Sequence, residues 1–234
     1  MKVVIVLPTY NESENIVELI NQIMFLDDYN IVIVDDSSPD GTGLLADNLV
    51  QLYKDRIYVI HRTVRGRASA GLEGFKYALK EGAEYIVEMD SDFSHPVSLI
   101  PTLVDLCQSY DVAIASKYAL GGGSNEDSRL RVLISRGANL YASALLGRGI
   151  HIKDWCGGFK CYRASALSKL ALDSFFSHGY SIGAETLYRL KLKGSTFTET
   201  PYTFIKRTRG KSKFSIRQIL SYIYVITKLR LLSI

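Results

Sequence analysis

Asp90-Ser91-Asp92 places two carboxylates two residues apart, directly after the apolar run Tyr85-Ile86-Val87-Glu88-Met89. Residues at that spacing in an extended segment point the same way, so both carboxylates can face one point and hold one hard divalent cation. The same residues also suit a strand end and the cap of a helix starting near Pro96, because Asp is common in turns and at N-caps. What separates the two readings is company, since an anionic ligand needs more than a cation. Pro8-Thr9-Tyr10-Asn11-Glu12 follows the apolar run Val3 to Leu7, and offers an aromatic face for a base and a carboxylate able to accept ribose hydroxyl bonds. Asp35-Asp36-Ser37-Ser38-Pro39-Asp40-Gly41-Thr42 follows Ile31 to Val34 with a second carboxylate pair, and Asp40 to Thr42 reads as a capped tight turn.

These groups need a scaffold that gathers strand ends. Strands at Val3–Leu7, Ile31–Val34, Ile57–Ile60, Tyr85–Met89 and Val112–Ala115 alternate with helices near Glu14–Leu26, Gly43–Tyr53, Leu72–Glu81 and Val97–Cys107. Continuous β-branched strands separated by helices mean a parallel sheet covered on both faces, with ligands beyond the carboxyl ends of the strands. A chain of 234 residues, 47% hydrophobic, is long enough for one substantial core. Its net charge of +4 is a local feature: from Thr200 onward there are eight Lys or Arg and no Asp or Glu, so the basic end is aimed at an anionic partner. Cys107, Cys156 and Cys161 form no even disulfide framework and read as reduced thiols in a cytosolic setting. Lys2, followed at once by a short run ending at Pro8, is not a secretory signal. No G-x-G-x-x-G follows the first strand and no Walker loop occurs, which counts against dinucleotide oxidoreductases and P-loop NTPases.

The three strand-end motifs, with Phe93-Ser94-His95-Pro96 extending the third, resemble the inverting family 2 glycosyltransferases of GT-A fold, and within them the dolichol-phosphate (polyprenol-phosphate) mannose synthases. The likeness continues through Ser135-Arg136-Gly137-Ala138-Asn139-Leu140, Gly157-Gly158-Phe159-Lys160-Cys161-Tyr162-Arg163 and the Arg207 to Lys213 segment, nearly the whole chain. It implies an α/β fold of GT-A type: a single mostly parallel Rossmann-like sheet with helices on both faces over residues 1–214, then a C-terminal amphipathic helix over 215–234. It implies that Pro8, Tyr10, Glu12, Val34 and Asp36 hold the guanosine of GDP-mannose. Asp90 and Asp92, with Ser94 close by, then hold Mg²⁺ or Mn²⁺, and Ser91 lies with them at the donor. Arg207 and Lys213 match basic residues on the donor phosphates. Lys117 stands where such enzymes usually carry Arg, exchanging a five-donor fork for a point charge, and Arg65 to Gly71 lacks the full glycine-rich pattern usual there.

Charge building on a leaving pyrophosphate is neutralised by a divalent ion with Arg207, Lys213 and Lys117. A lipid phosphate acceptor is already anionic at neutral pH and needs no general base, which suits four histidines that sequence cannot connect. Direct displacement inverts the anomeric centre, giving a β-linked polyprenyl-phosphate sugar. A helix over Ser128 to Leu146 carries Leu130, Leu133, Ile134, Ala138, Tyr141 and Leu145 on one stripe, and sets Arg131, Ser135 and Arg136 around its first turns, which suits an anion site for the acceptor phosphate; a solvated basic face also accounts for them, above all for Arg136, while the family resemblance weighs for Arg131 and Ser135. Asp154 to Phe159 reads as a tight turn into an edge strand, with Asp154 open to a sugar-facing role. Glu185 falls where the family carries an acidic residue, and a surface salt bridge accounts for it equally well. In the tail, the uncharged run Gln218 to Thr227 would span roughly 15 Å as a helix against about 30 Å of hydrocarbon, so it does not cross a bilayer. A basic amphipathic helix lying in the membrane interface and a helix packed on the catalytic domain both suit this tail; peripheral binding at the cytoplasmic face is expected, strengthened by any small membrane-embedded partner protein, and no nucleic-acid partner is expected. The alternatives are transfer from UDP-glucose or another UDP-sugar, a family 2 transferase acting on a hydroxyl acceptor, and a silent binding subunit. Both Asp90 and Asp92 being present counts against silence, and the Gln-x-x-Arg-Trp motif of processive synthases is absent.

Overall fold

Val3–Thr9 (β1) is buried at every position. Its alternation sends Val4 and Val6 into one hydrophobic cluster and Val3, Ile5 and Leu7 into another, so both its faces are covered. The structure is a computed structural model and describes residues 1–126, 128–207, 209 and 215–232. Seven strands make one sheet in the order β3-β2-β1-β4-β7-β5-β8: with β1 these are Asn30–Asp35 (β2), Ile57–His61 (β3), Tyr85–Glu88 (β4), Val112–Ser116 (β5), Lys160–Arg163 (β7) and Phe197–Pro201 (β8). Gly123–Ser124 (β6) pairs with Thr203–Phe204 (β9) as a separate ribbon. All pairings in the large sheet are parallel except those of β7, which runs against both β4 and β5.

The mostly parallel, doubly covered sheet is therefore as expected, but the strand after Asp154 to Phe159 is not at an edge. Cys161 and Tyr162 are fully buried, as an interior strand demands. Lys160, whose charge argues for an edge, is buried too, its ammonium donating to the Gly157 carbonyl.

Ile16–Leu26 (α1), Thr42–Leu52 (α2) and Ile100–Leu106 (α4) cover one face of the sheet; Arg67–Lys80 (α3), Arg129–Leu146 (α5), Ala164–Leu167 (α6), Ser181–Leu192 (α7) and Ile216–Leu232 (α8) cover the other. α3 lies so close to β1 that a Cβ on Gly74 would collide with Val6. That approach carries the N-terminus of α3, five residues earlier than the sequence suggests, over the strand ends. α8 packs by Tyr222, Val225, Ile226 and Leu229 into the cluster shared with α5 and α7, while Ile216, Leu220, Tyr224 and Leu231 stay exposed. α5 buries only Asn139, Ala142 and Leu146; Leu130, Leu133, Gly137, Leu140 and Ala144, at helical spacing, face outward. The single apolar stripe read from the sequence is thus split, because the helix is covered along one side only. Among the described residues no helix is long and apolar enough to cross a membrane.

Candidate active site

β1, β2 and β4 are parallel neighbours, so the loops after them emerge side by side, and the reversed β7 brings Gly157 and Gly158 to the same end of the sheet. Among the described residues four non-glycines have positive φ, and three of them, Asn11, Ser37 and Phe93, stand one in each of those loops. For a bulky residue such as Phe this conformation is costly and persists only where the surroundings fix it. Cross-loop hydrogen bonds tie the first two of these loops together: Asn11 N–H donates to Ser38 Oγ at 2.9 Å, Glu12 N–H to Thr42 Oγ1 at 2.9 Å and Ser13 N–H to Asp40 Oδ2 at 3.0 Å. Ser91 Oγ donates to the Pro8 carbonyl at 3.4 Å, tying the β4 loop to β1.

The expected nucleoside residues gather at the β1 and β2 ends. The Arg65 guanidinium lies over the Tyr10 ring, 4.5 Å from its centroid. Glu12 is buried and accepts from Asn15 Nδ2 at 2.8 Å. Asp36 accepts from Arg62 Nη1 at 2.8 Å and from Gly66 N–H at 2.7 Å, closing the loop that leads into α3. Burial raises its carboxyl above the usual range, against the pull of Gly66 and Arg62. The Val34 side chain is fully buried in the core cluster under α3, so the strand end offers a ligand only its backbone.

At the β4 end, Asp90 Oδ1 accepts from Arg67 Nε at 3.2 Å and Nη2 at 3.0 Å. Its N–H donates to Nδ1 of buried His95, which stacks on Phe159. Burial would raise the Asp90 carboxyl, but Arg67, His95 and Arg207 together hold it below its ordinary value. Asp92 Oδ1 accepts from Ser94 N–H at 3.0 Å, and Oδ2 accepts from Arg207, which also lies 4.0 Å from Glu12. Two carboxylates with the Ser94 hydroxyl are an oxygen donor set that fits Mg²⁺ or Mn²⁺, cations that keep waters and substrate phosphates as their remaining ligands. Among the described residues no cluster of three His, Cys, Asp or Glu competes as a metal site. Gly158 keeps Asp90 approachable: a Cβ there would come within 3.3 Å of Oδ2.

From this pair a cleft of about 880 Å³ runs toward α5 and α8. Its lining combines the polar side chains of Asp90, Asp92, Ser94, Lys117, Arg131, Ser135 and Arg207 with Ile134, Ala138, Tyr141, Ile219, Tyr222 and Ile223 of α5 and α8. Ser135 Oγ accepts from Tyr118 Oη at 2.7 Å, Arg131 pairs with Glu126 at 3.4 Å, and Lys117 Nζ lies 5.2 Å from the Phe204 ring centroid. The structure thus brings eight of the sequence-derived site residues to one cleft, the seven polar ones just named and Arg136, and sets Pro8, Tyr10, Glu12, Val34, Asp36 and Ser91 beside it. Lys213 lies outside the described residues.

Two sequence readings change. Asp154 is fully buried and accepts from Gly157 N–H at 2.8 Å and Lys117 N–H at 3.3 Å, so it holds the loop and does not face a sugar. Glu185 is fully buried, not at the surface; it accepts from Ser177 and pairs with Arg189 at 2.7 Å. Sequence reasoning missed the Arg67–Glu88 pair, at 2.8 Å beside Asp90. Its signal was an acidic residue inside an otherwise apolar strand.

The family model for Glycosyl transferase family 2 matches residues 4–171. The chain belongs to glycosyltransferase family 2. This transferase is 38% identical over 217 residues to the polyprenol monophosphomannose synthase of Mycolicibacterium smegmatis, covering 92% of its own chain and 81% of that relative. It is 33% identical to the undecaprenyl-phosphate mannosyltransferase of Micrococcus luteus, covering 92% and 88%. The transferase also shares the fold of glucosyl-3-phosphoglycerate synthase from Mycobacterium tuberculosis, solved with Mn²⁺ and UDP-glucose, at a TM-score of 0.66 and 18% identity over 99% of this chain and 78% of that one.

Proposed function

We propose that this transferase moves a mannosyl residue from GDP-mannose to a polyprenol phosphate, with inversion, at the cytoplasmic face of a membrane. The observation that carries the reading is the cleft, whose lining sets a carboxylate pair and several cations together with apolar side chains of α5 and α8. A phosphate on a long hydrocarbon chain matches both characters of that lining. The relatives named for polyprenol and undecaprenyl phosphate acceptors support the same acceptor class.

The donor nucleoside would rest on the loops of Tyr10, Glu12 and Asp36, with its diphosphate directed toward Asp90 and Asp92. Mg²⁺ or Mn²⁺ held by those two carboxylates and Ser94 would supply charge neutralisation to the leaving diphosphate. Arg207 would exchange its Asp92 contact for the diphosphate, and Lys117 would add a point charge. Lys213 is proposed to act beside Arg207. Arg131 and Ser135, at the start of α5, would orient the acceptor phosphate so that its oxygen attacks the anomeric carbon opposite the departing diphosphate. Because that oxygen is anionic, no proton has to be removed. A hydroxyl acceptor would need a base, and buried His95, its Nδ1 engaged by Asp90 N–H, is not placed to be one.

The outward leucines of α5 and Ile216, Leu220 and Tyr224 of α8 are exposed on the two helices that also line the cleft. Laid on a bilayer they would let a polyprenyl chain enter without crossing water. Arg217, Lys228 and Arg230 would add attraction for anionic lipid.

The test is transfer of radiolabel from GDP-mannose or UDP-glucose into the organic phase with polyprenol phosphate, using purified protein and Mg²⁺ or Mn²⁺. Lipid-borne label from GDP-mannose is expected. Label from UDP-glucose alone overturns the donor, and label reaching only a hydroxyl acceptor overturns the lipid phosphate.

A further inference from the structure

Asp90 does not stand alone at its strand end. Two residues before it, Glu88 is buried to 2% exposure, and between them the Arg67 guanidinium makes three bonds: Nη1 to Glu88 Oε1 at 2.8 Å, and Nε and Nη2 to Asp90 Oδ1 at 3.2 and 3.0 Å. Both contacts with Asp90 fall on one oxygen. Oδ2 takes neither of them, and the bare Gly158 leaves both oxygens uncovered, since a Cβ there would come within 3.3 Å of Oδ2 and 3.5 Å of Oδ1. Glu88 is held from the other side by the Tyr162 hydroxyl, at 3.4 Å from Oε2, and it stands opposite Lys160 across the β4–β7 pairing. The space around the clamp is small: a Cβ on Gly71 would come within 3.3 Å of both Arg67 Nη1 and Glu88 Oε1.

We infer that Arg67 and Glu88 are positioning residues, a charge-neutral clamp that fixes which Asp90 oxygen is offered to the divalent ion. This rests on the proposed metal role of Asp90. Partners behind a ligating carboxylate set its orientation, and losing one typically costs 10- to 100-fold in metal affinity. An arginine alone would be a poor choice, because its charge opposes a cation at the same carboxylate. Glu88 supplies the cancelling charge while holding the guanidinium plane in place, as its bidentate-capable fork allows. The pair therefore orients Asp90 without repelling what Asp90 binds.

The experiment measures Mn²⁺ affinity of the full chain by electron paramagnetic resonance with saturating GDP, and GDP affinity separately in EDTA. Glu88→Gln keeps an oxygen for Arg67 but leaves its charge uncancelled. Mn²⁺ binding should weaken at least about tenfold while metal-free GDP binding holds or tightens, an opposite pair of shifts that a general loss of structure does not give. Should Glu88→Gln not fold, Arg67→Met/Glu88→Met removes the clamp as an apolar pair, a replacement that buried ion pairs tolerate. It too should lose about tenfold in Mn²⁺ affinity, because Asp90 is no longer pinned. Mn²⁺ affinity within twofold of the unmodified chain in the folded variant overturns the clamp. Failure of the unmodified chain to bind Mn²⁺ at all overturns the metal reading together with it.

Discussion

Replacing Asp92 by Asn tests the site at the residue with the most defined surroundings. The asparagine oxygen can still accept from Ser94 N–H, now 3.0 Å from Oδ1, so the turn after β4 keeps its anchor. Its amide nitrogen, however, would face the Arg207 guanidinium, donor against donor, and the carboxylate charge shared by Arg207 and the divalent ion is gone. Arg207 is about a quarter exposed and has Glu12 at 4.0 Å as a second carboxylate, so the structural loss should be near 1 kcal/mol. That lowers Tm by about 2–4 °C in a chain of this size. The catalytic loss should be larger, about 3–4 kcal/mol of transition-state stabilisation, or 100- to 1000-fold in turnover. Mannosyl transfer measured across a Mg²⁺ and Mn²⁺ titration, beside a melting curve for each variant, separates the two. Turnover within threefold of the unmodified enzyme, or full activity in EDTA, would refute the reasoning.

Ser135→Ala removes a hydroxyl at the proposed acceptor phosphate, and should raise the acceptor KM about tenfold, the worth of one hydrogen bond to a charged group, leaving the donor KM unchanged; equal shifts in both would place Ser135 elsewhere. Gly74→Ala forces a methyl against Val6 and should cost about 1–3 kcal/mol by chemical denaturation, and no loss would mean α3 does not approach β1 as described. Glu199 accepts Lys153 N–H at 3.0 Å and Asp154 N–H at 2.8 Å, and burial raises its carboxyl above the ordinary 4.5. The folded state therefore holds this proton longer than the unfolded chain, and stability falls as pH rises from 4.5 through the raised value. Glu199→Gln should flatten that part of the pH–stability curve, and an unchanged slope would contradict the assignment. Leu133→Glu with Leu220→Glu should cut flotation with anionic vesicles severalfold without changing the melting curve, whereas equal flotation would remove α5 and α8 from the membrane surface.

Much of the donor side was legible because each strand that builds it is a short β-branched run buried on both faces, with its polar residues packed into the following loop. The pattern around Asp36 and Asp90 could be read with no knowledge of what lay opposite. β7 was misplaced for the converse reason: Lys160 and Arg163 suggest solvent, and only the fold supplies the Gly157 carbonyl and the interior position that contradict them. Glu185 and Arg189 look like an ordinary exposed i, i+4 pair until Ser177 and the core close over them. Arg67 and Glu88 are far apart in sequence, and their meeting depends on how α3 crosses β4, which local periodicity does not encode. The outer leucines of α5 match the helical period as well as the inner residues do, so periodicity alone could not say which side would be covered.

The reversal of β7 has a consequence for how such an enzyme can be altered. It interrupts the parallel run between β4 and β5, leaving the loops of Tyr10, Asp36 and Asp90 on one side and the elements carrying Lys117, α5 and α8 on the other. The two sides meet in the cleft, which Asp90, Asp92 and Ser94 line together with Lys117, Arg131, Ser135, Gly157 and Gly158. On the proposed function, a graft that exchanged α5 and α8 together, keeping the Tyr141–Thr227 hydrogen bond between them and Asn139 on the Trp155 and Cys156 N–H groups, would alter the acceptor side and leave the strand-end loops as they are. If the proposed acceptor site holds, acceptor choice would be inherited through two helices more than through the sheet.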